Sequence, residues 1–196
     1  MKQELFDLVY LGCFVLVALV RLVSVLQVAR QRGDIRKSMP KMNLDTVMIM
    51  LQSLGLFFLP FAYLFTDWIN WANYPLPAPL GWLGAALYLF GTWMLWQTHR
   101  DLGTNWSDSL EIQENHTLVT TGIYTRIRHP MYSAHLLLGI GQSLLLGNWI
   151  AGPSFLALQL PFYPLRMPVE EKQLLQRFGE EYRSYMERTG RLLPKW

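Results

Sequence analysis

The chain has 196 residues, of which 52% are hydrophobic and only 16% charged, against about 25% charged in an ordinary soluble domain. A formal net charge of +3 and a 14% aromatic share exclude a disordered polyelectrolyte, and one cysteine, Cys13, excludes a disulfide scaffold or a zinc ribbon. The informative property is where the charges are absent. Leu5–Val28 is apolar apart from Asp7 and Arg21. Thr46–Thr66, Trp68–His99 and Pro130–Leu165 are free of Asp, Glu, Lys and Arg over 21, 32 and 36 residues. A helix crossing a bilayer needs about 20 mostly apolar residues. As one helix the last run would be about 54 Å long, too long for one crossing, at roughly 1.5 Å per residue. Gly147-Asn148 is a turn signal near its middle. The expectation is an all-α, polytopic membrane protein with about five spans, at 5–28, 46–66, 80–98, 131–146 and 150–165, the last two a helical hairpin.

The basic residues orient these spans. The 30–42 loop holds Arg30, Arg32, Arg36, Lys37 and Lys41. The 67–79 loop has no Lys or Arg and is stiffened by Pro75, Pro77 and Pro79. Three basic residues follow in 100–129 and seven from Arg166 onward. The positive-inside rule puts 30–42, 100–129 and 166–196 in the cytoplasm, the N-terminus outside and the C-terminus cytoplasmic. Arg21 lies within the first span, near enough to its inner end to snorkel. Residues 1–98 thus read as an N-terminal three-span membrane region. Residues 99–196 read as a C-terminal region gathering nearly all polar candidates on one side: a cytoplasmic loop, the hairpin and an amphipathic tail over 168–188 that Gly179 interrupts.

Three constellations carry chemistry. In Gly122-Ile-Tyr124-Thr-Arg126-Ile-Arg128-His129-Pro130-Met131-Tyr132, Pro130 suits the first turn of a helix, whose start favours an anionic group. Arg128 and Tyr132 also suit an interfacial anchor. Arg166 through Glu170-Glu171 marks the exit of the last span. There an arginine can present a fork to a carboxylate or phosphate, and Glu170, one turn on, can accept from an amine or hydroxyl. Both glutamates also suit the first turn of a helix after Pro168. Trp93, Trp96, His99 and Arg100 close the third span as an interfacial belt. Gly139, Ser143 and Gly147 recur every four residues, which suits close helix packing rather than a nucleotide loop. The four histidines show no zinc-ligand spacing, so no metal site is expected, although His99 and His135 leave a two-histidine haem open. No nucleic-acid motif is present.

Taken in order, Asp101-Leu-Gly-Thr-Asn-Trp-Ser107, His116-Thr-Leu-Val-Thr-Thr-Gly-Ile-Tyr124, Arg128-His-Pro-Met-Tyr132, Arg166…Glu170-Glu171, Phe178-Gly-Glu-Glu-Tyr182 and Thr189-Gly-Arg-Leu-Leu-Pro194 give the second half its character. This half resembles the isoprenylcysteine carboxyl methyltransferase family, which is related to phospholipid methyltransferases. The resemblance implies S-adenosylmethionine as methyl donor, bound without a Rossmann domain. It implies that His116, Thr117, Leu118 and Val119 line the donor's adenosine end. Tyr124, His129, Pro130, Met131, Tyr132 and Glu170 would contact the donor, and Arg166 would face the acceptor carboxylate. A further polar contact falls to Gln113, or alternatively Glu111. The implied partners are a lipophilic small-molecule or prenylated acceptor and membrane lipid. Two other enzyme readings stay open: a membrane NADPH-dependent reductase of the sterol-reductase type, whose C-terminal half is similar, and a lipid-amine methyltransferase.

Overall fold

A computed structural model describes residues 2–32, 44–103 and 117–195. Every regular element among them is helical: α1 (Lys2–Arg32), α2 (Leu44–Ser53), α3 (Leu59–Phe65), α4 (Ala78–Leu102), α5 (Pro130–Leu145), α6 (Ser154–Gln159), α7 (Tyr163–Phe178) and α8 (Glu180–Arg188). Three stretches are long and apolar enough to cross a membrane, Gln3–Gln27, Thr46–Phe65 and Ala78–Leu102. They match the first three expected spans. Leu8, Leu22, Phe58 and Trp82 on them are each more than half exposed. Apolar side chains exposed along helices of this length suit contact with lipid.

The expected fourth and fifth spans are helical but differ in form. α5 is a single helix of 16 residues. Its partner arm is segmented: α6 passes through a short 3-10 turn at Leu160–Phe162, where Pro161 sits, into α7. α7 then runs from Tyr163 to Phe178 without a break at Pro168. The exit of the hairpin and the start of the tail are therefore one helix, and Glu170 and Glu171 lie mid-helix rather than in a first turn. The tail does break at Gly179, whose φ of +54° is a left-handed conformation that glycine adopts without a Cβ penalty.

Small residues set the packing. α4 and α5 share the largest interface. A Cβ on Gly84 would fall 2.8 Å from Leu144, and one on Gly141 would fall 2.8 Å from Tyr88, so both glycines permit the close crossing. Gly139 packs on Leu156 of α6, as its helical spacing suggests. The hairpin turn falls at Gly147-Asn148 as expected. The fully buried Asn148 organises it, accepting from Ile150 N (2.9 Å) and Ala151 N (2.8 Å) and donating to Ile69 O (2.8 Å) and Asn73 Oδ1 (2.7 Å).

The second span holds a π-helical turn at Leu54–Phe58. A wider turn frees a carbonyl from the α-helical ladder. Gly55 O takes up that role, accepting from Gln142 Nε2 (3.0 Å) and Ser154 Oγ (2.7 Å). Gln142 also donates to Ala151 O (2.8 Å) and accepts from Tyr10 OH (3.3 Å), tying α1, the π turn, α5 and α6 together. Gln142→Leu leaves at least Ala151 O without this donor. It should lower stability in detergent by about 1–3 kcal/mol; unchanged unfolding would show the network to be dispensable.

Candidate functional site

The site is built where α4, the 117–129 segment, α5 and α7 converge. Gly122 has φ +60°, and a Cβ there would collide with the Asp101 carboxylate. Asp101 Oδ2 accepts from Ile123 N at 2.8 Å, which pins the short 3-10 turn Gly122–Thr125 to the end of α4. Residues 126–129 then run beside the C-terminal tail: Gly190 N donates to Arg126 O (3.1 Å), Arg128 N to Gly190 O (2.8 Å) and His129 N to Arg191 O (3.0 Å). Ser133 Oγ adds a bond to Leu192 O at 2.6 Å. The tail therefore clamps the start of α5, which explains why the Thr189–Pro194 segment belongs with the site.

Pro130 is the first residue of α5, as expected, and His129 is its N-cap. His129 is 7% exposed and lies between two adjacent carboxylates: Nδ1 is 3.4 Å from Glu170 Oε2, and Nε2 is 3.3 Å from Glu171 Oε1. An imidazole can donate from both nitrogens only when protonated. Burial works against that charge, but hydrogen bonds and charge from Glu170 and Glu171 outweigh it and raise His129 above its ordinary 6.5. The positive end of α5 adjoins the same carboxylates.

The two glutamates have different surroundings. Glu170, with about a fifth of its side chain exposed, accepts at Oε1 from Tyr132 OH (2.8 Å) and Arg166 Nε (2.9 Å). Burial raises its pKa, but His129, Arg166 and Tyr132 more than offset this and hold it below 4.5. Glu171 is 4% exposed. It pairs with Arg128 Nε (3.3 Å), His129 and Arg191, whose Nε lies 3.0 Å from Oε1. Despite burial, His129 and Arg191 bring Glu171 down to about 2. Arg128 Nη1 donates to Met186 O (2.8 Å) and Thr189 O. Glu170 thus faces the accessible side of the cluster, and Glu171 joins α7 to the tail.

Stability linked to this cluster has two limbs. The Glu171 contribution is complete above 4.5 and is lost as pH falls toward 2. The His129 contribution is complete below 6.5 and is lost as pH rises through its higher folded value. His129→Gln should therefore flatten the loss of thermal stability above pH 6.5 and shrink the acid limb, leaving the part that Arg191 supports. An unchanged alkaline limb would remove His129 from this role.

The structure brings together Arg166, Glu170, His129, Pro130 and Tyr132. Tyr163 OH donates to Tyr132 O at 2.8 Å, and the two rings meet edge to face with centroids 5.1 Å apart. Tyr124 is buried, with Tyr185 OH donating to its carbonyl at 2.7 Å. Met131 packs against the core. Thr117, Leu118 and Val119 lie in the irregular segment leading into the Gly122 turn. Gln113, its alternative Glu111, and His116 lie outside the described residues. Three contributors escaped the sequence reading: Arg128, read as an anchor; Glu171, read as a first-turn acid; and Arg191. The facing pairs Arg128-His129 and Glu170-Glu171 were the available signal.

Arg166 sits between Glu170 and the membrane region, with Nη1 3.9 Å from Met48 Sδ. A cavity of about 370 Å³ lies among α1, α2, the π turn, α4, α5 and α6, with Arg21 and His135 among the residues lining it.

Residues 83–176 match the model of the isoprenylcysteine carboxyl methyltransferase family. Protein-S-isoprenylcysteine O-methyltransferase B of Arabidopsis thaliana is 38% identical over 82 residues, 42% of this chain and 42% of that protein. The Homo sapiens protein-S-isoprenylcysteine O-methyltransferase is 34% identical over 113 residues, 57% of this chain and 40% of that protein. Its Dictyostelium discoideum counterpart is 30% identical over 131 residues, 65% of this chain and 55% of that protein. The matches span about half or less of these relatives' own lengths. The fold is similar to that of a eukaryotic intramembrane Ras methyltransferase, with a TM-score of 0.59 at 23% identity over 95% of this chain and 66% of that one. The sequence match falls on the helices that build the Glu170 cluster, and the fold is similar over nearly the whole chain.

Proposed function

We propose that the chain is an integral membrane, S-adenosylmethionine-dependent carboxyl O-methyltransferase acting on a prenylcysteine-like or other lipid acid. The observation that carries this reading is the convergence of Arg166, Glu170, Tyr132 and His129 where α5 and α7 meet. The residues fit such a donor. Glu170 offers a partly exposed carboxylate for a cationic group, and the Tyr132 ring offers an aromatic face to a sulfonium. The same proposal assigns Tyr124, Pro130 and Met131 to donor contact and Thr117, Leu118 and Val119 to the adenosine end, and it includes His116 and Gln113, or alternatively Glu111, which lie outside the described residues. When bound, S-adenosylmethionine supplies an electrophilic methyl group.

The chain's own part is mainly positioning. A carboxylate acceptor is already ionised at pH 7, so no side chain need remove a proton. Arg166 orients that carboxylate through its guanidinium fork. Its bond to Glu170 tempers its hold, so the acceptor oxygen keeps its nucleophilicity. Opposite charges cancel as the methyl group moves, so a dry site favours transfer over water. Orientation alone can supply ~7 kcal/mol or more of a barrier. The cluster lies at the cytoplasmic border under the positive-inside orientation, with the N-terminus outside, where a water-soluble donor meets a lipid acceptor.

No observation favours the reductase reading, and Arg166 beside Glu170 would repel a protonated lipid amine. The test is protection of the detergent-solubilised protein against heat. S-adenosylhomocysteine should raise the unfolding temperature and NADP should not; the reverse would overturn the proposal.

A further inference from the structure

The proposed chemistry draws on α5 and α7 and leaves the end of α4 without a role, although Asp101 opens the first of the motifs that mark the second half. Asp101 is the last residue but one of α4, and its side chain is 10% exposed. On the α4 side, Gln97 Nε2 donates to both carboxylate oxygens at 3.1 Å, and Arg100 Nε lies 3.4 Å from Oδ1. Arg100 in turn lies over the Trp96 ring, 5.0 Å from its centroid. The carboxylate is thus oriented by its own helix. It then accepts at Oδ2 from the backbone N–H of Ile123, 22 residues further on, at 2.8 Å. Gly122 matches this carboxylate in two ways. Its φ of +60° disfavours any residue with a Cβ, and a Cβ would fall where Asp101 Oδ2 lies.

The turn fixed in this way carries Tyr124. Burial first, and after it the charges of Tyr185, Glu170 and Asp101, raise the Tyr124 hydroxyl above its ordinary pKa, so this side chain is within reach of both the end of α4 and the Glu170 carboxylate. On its other side the segment is tied to α8 and the tail, through Tyr185 OH to Tyr124 O (2.7 Å) and Gly190 N to Arg126 O (3.1 Å). α4 is a different kind of support. It packs closely on α5 at Gly84 against Leu144 and at Gly91 against Ala134 and Leu137. Asp101 therefore refers the turn to the same helix pair that carries His129, Pro130 and Tyr132. A wall that is ordered before its ligand arrives costs less to order on binding. We propose that Asp101 is a positioning residue for the methyl donor: it locks the Gly122–Thr125 turn onto α4, so that Tyr124 stands beside Glu170 before the donor binds. The proposal rests on the S-adenosylmethionine reading and extends it from the groups that touch the donor to one that orders them.

The test is the dissociation constant of S-adenosylhomocysteine, measured by calorimetry on the full chain in dodecylmaltoside, together with amide hydrogen exchange of residues 121–127 before ligand is added. Asp101→Ala should weaken binding by about tenfold, a difference of about 1.4 kcal/mol. It should also speed exchange in 121–127 while α5 stays protected. Asp101→Asn keeps an oxygen for Ile123 N, and Gln97 can turn its amide to meet the new Nδ2 donor. It should therefore bind within about threefold of the unmodified chain. Gly122→Ala should weaken binding too, and by less in the Asp101→Ala background, because both changes break one contact. Unchanged affinity in Asp101→Ala would overturn the proposal. So would full additivity of the two substitutions, or an Asp101→Asn chain that binds as weakly as Asp101→Ala. Failure of S-adenosylhomocysteine to bind the unmodified chain would overturn the donor reading itself, whereas tight binding that ignores Asp101 overturns only this proposal.

Discussion

Arg166→Ala should lower kcat/KM for a lipid acid by about 100-fold or more, a size expected when a reacting group is misplaced by about 1 Å. Affinity for S-adenosylhomocysteine should change by no more than a few-fold. The split follows from the geometry. Arg166 reaches Glu170 through Nε and directs Nη1 toward Met48 of α2. Tyr132 and His129 still hold Glu170 when the guanidinium is removed. Arg166→Lys should recover only part of the rate, because an ammonium keeps the charge and loses the fork. Unchanged turnover in Arg166→Ala would remove the carboxylate-orienting role. A parallel collapse of donor affinity would instead make Arg166 a support for Glu170.

The neighbouring glutamates should separate cleanly. Glu171→Ala removes a carboxylate that is 4% exposed and faces Arg128, His129 and Arg191. Removing one partner of a buried ion cluster costs about 3–5 kcal/mol, here because Arg128 and His129 stay buried, whereas Arg191 is half exposed. Thermal unfolding in detergent should fall accordingly, and protease should cut sooner beyond Gly179 as the tail undocks from residues 126–129. Glu170→Ala should weaken donor binding by about tenfold or more, with a much smaller loss of stability, since that carboxylate is partly exposed and lies on the open side. Equal stability losses from the two variants, or intact donor binding in Glu170→Ala, would contradict this division.

The sequence revealed those features that depend on composition or local turn chemistry. Long charge-free runs marked three helices of membrane-crossing length, Gly147-Asn148 marked the hairpin turn, and Pro130 marked the first turn of α5. Arg166 and Glu170, four residues apart, were recognisable as one face of a helix. Long-range relations were not legible. Nothing near Gly55 announces a π turn, because its cause is a carbonyl claimed by Gln142 and Ser154 from two other helices. Pro168 signals a boundary, yet α7 continues through it. Glu171 reads as an ordinary surface acid until Arg128 and Arg191 approach from two distant segments. That Arg21 borders a cavity was not legible either, because helical spacing alone does not show that α5 and the π turn approach it.

The most direct test is transfer of a labelled methyl group from S-adenosylmethionine by the purified chain to a panel of prenylcysteines, single-chain lipid acids and lipid amines. Label should appear in the acids as a base-labile methyl ester and should be lost with Arg166→Ala. Base-stable label in the amines, or no transfer to any acid under conditions where the donor binds, would contradict a carboxyl methyltransferase built on Arg166 and Glu170.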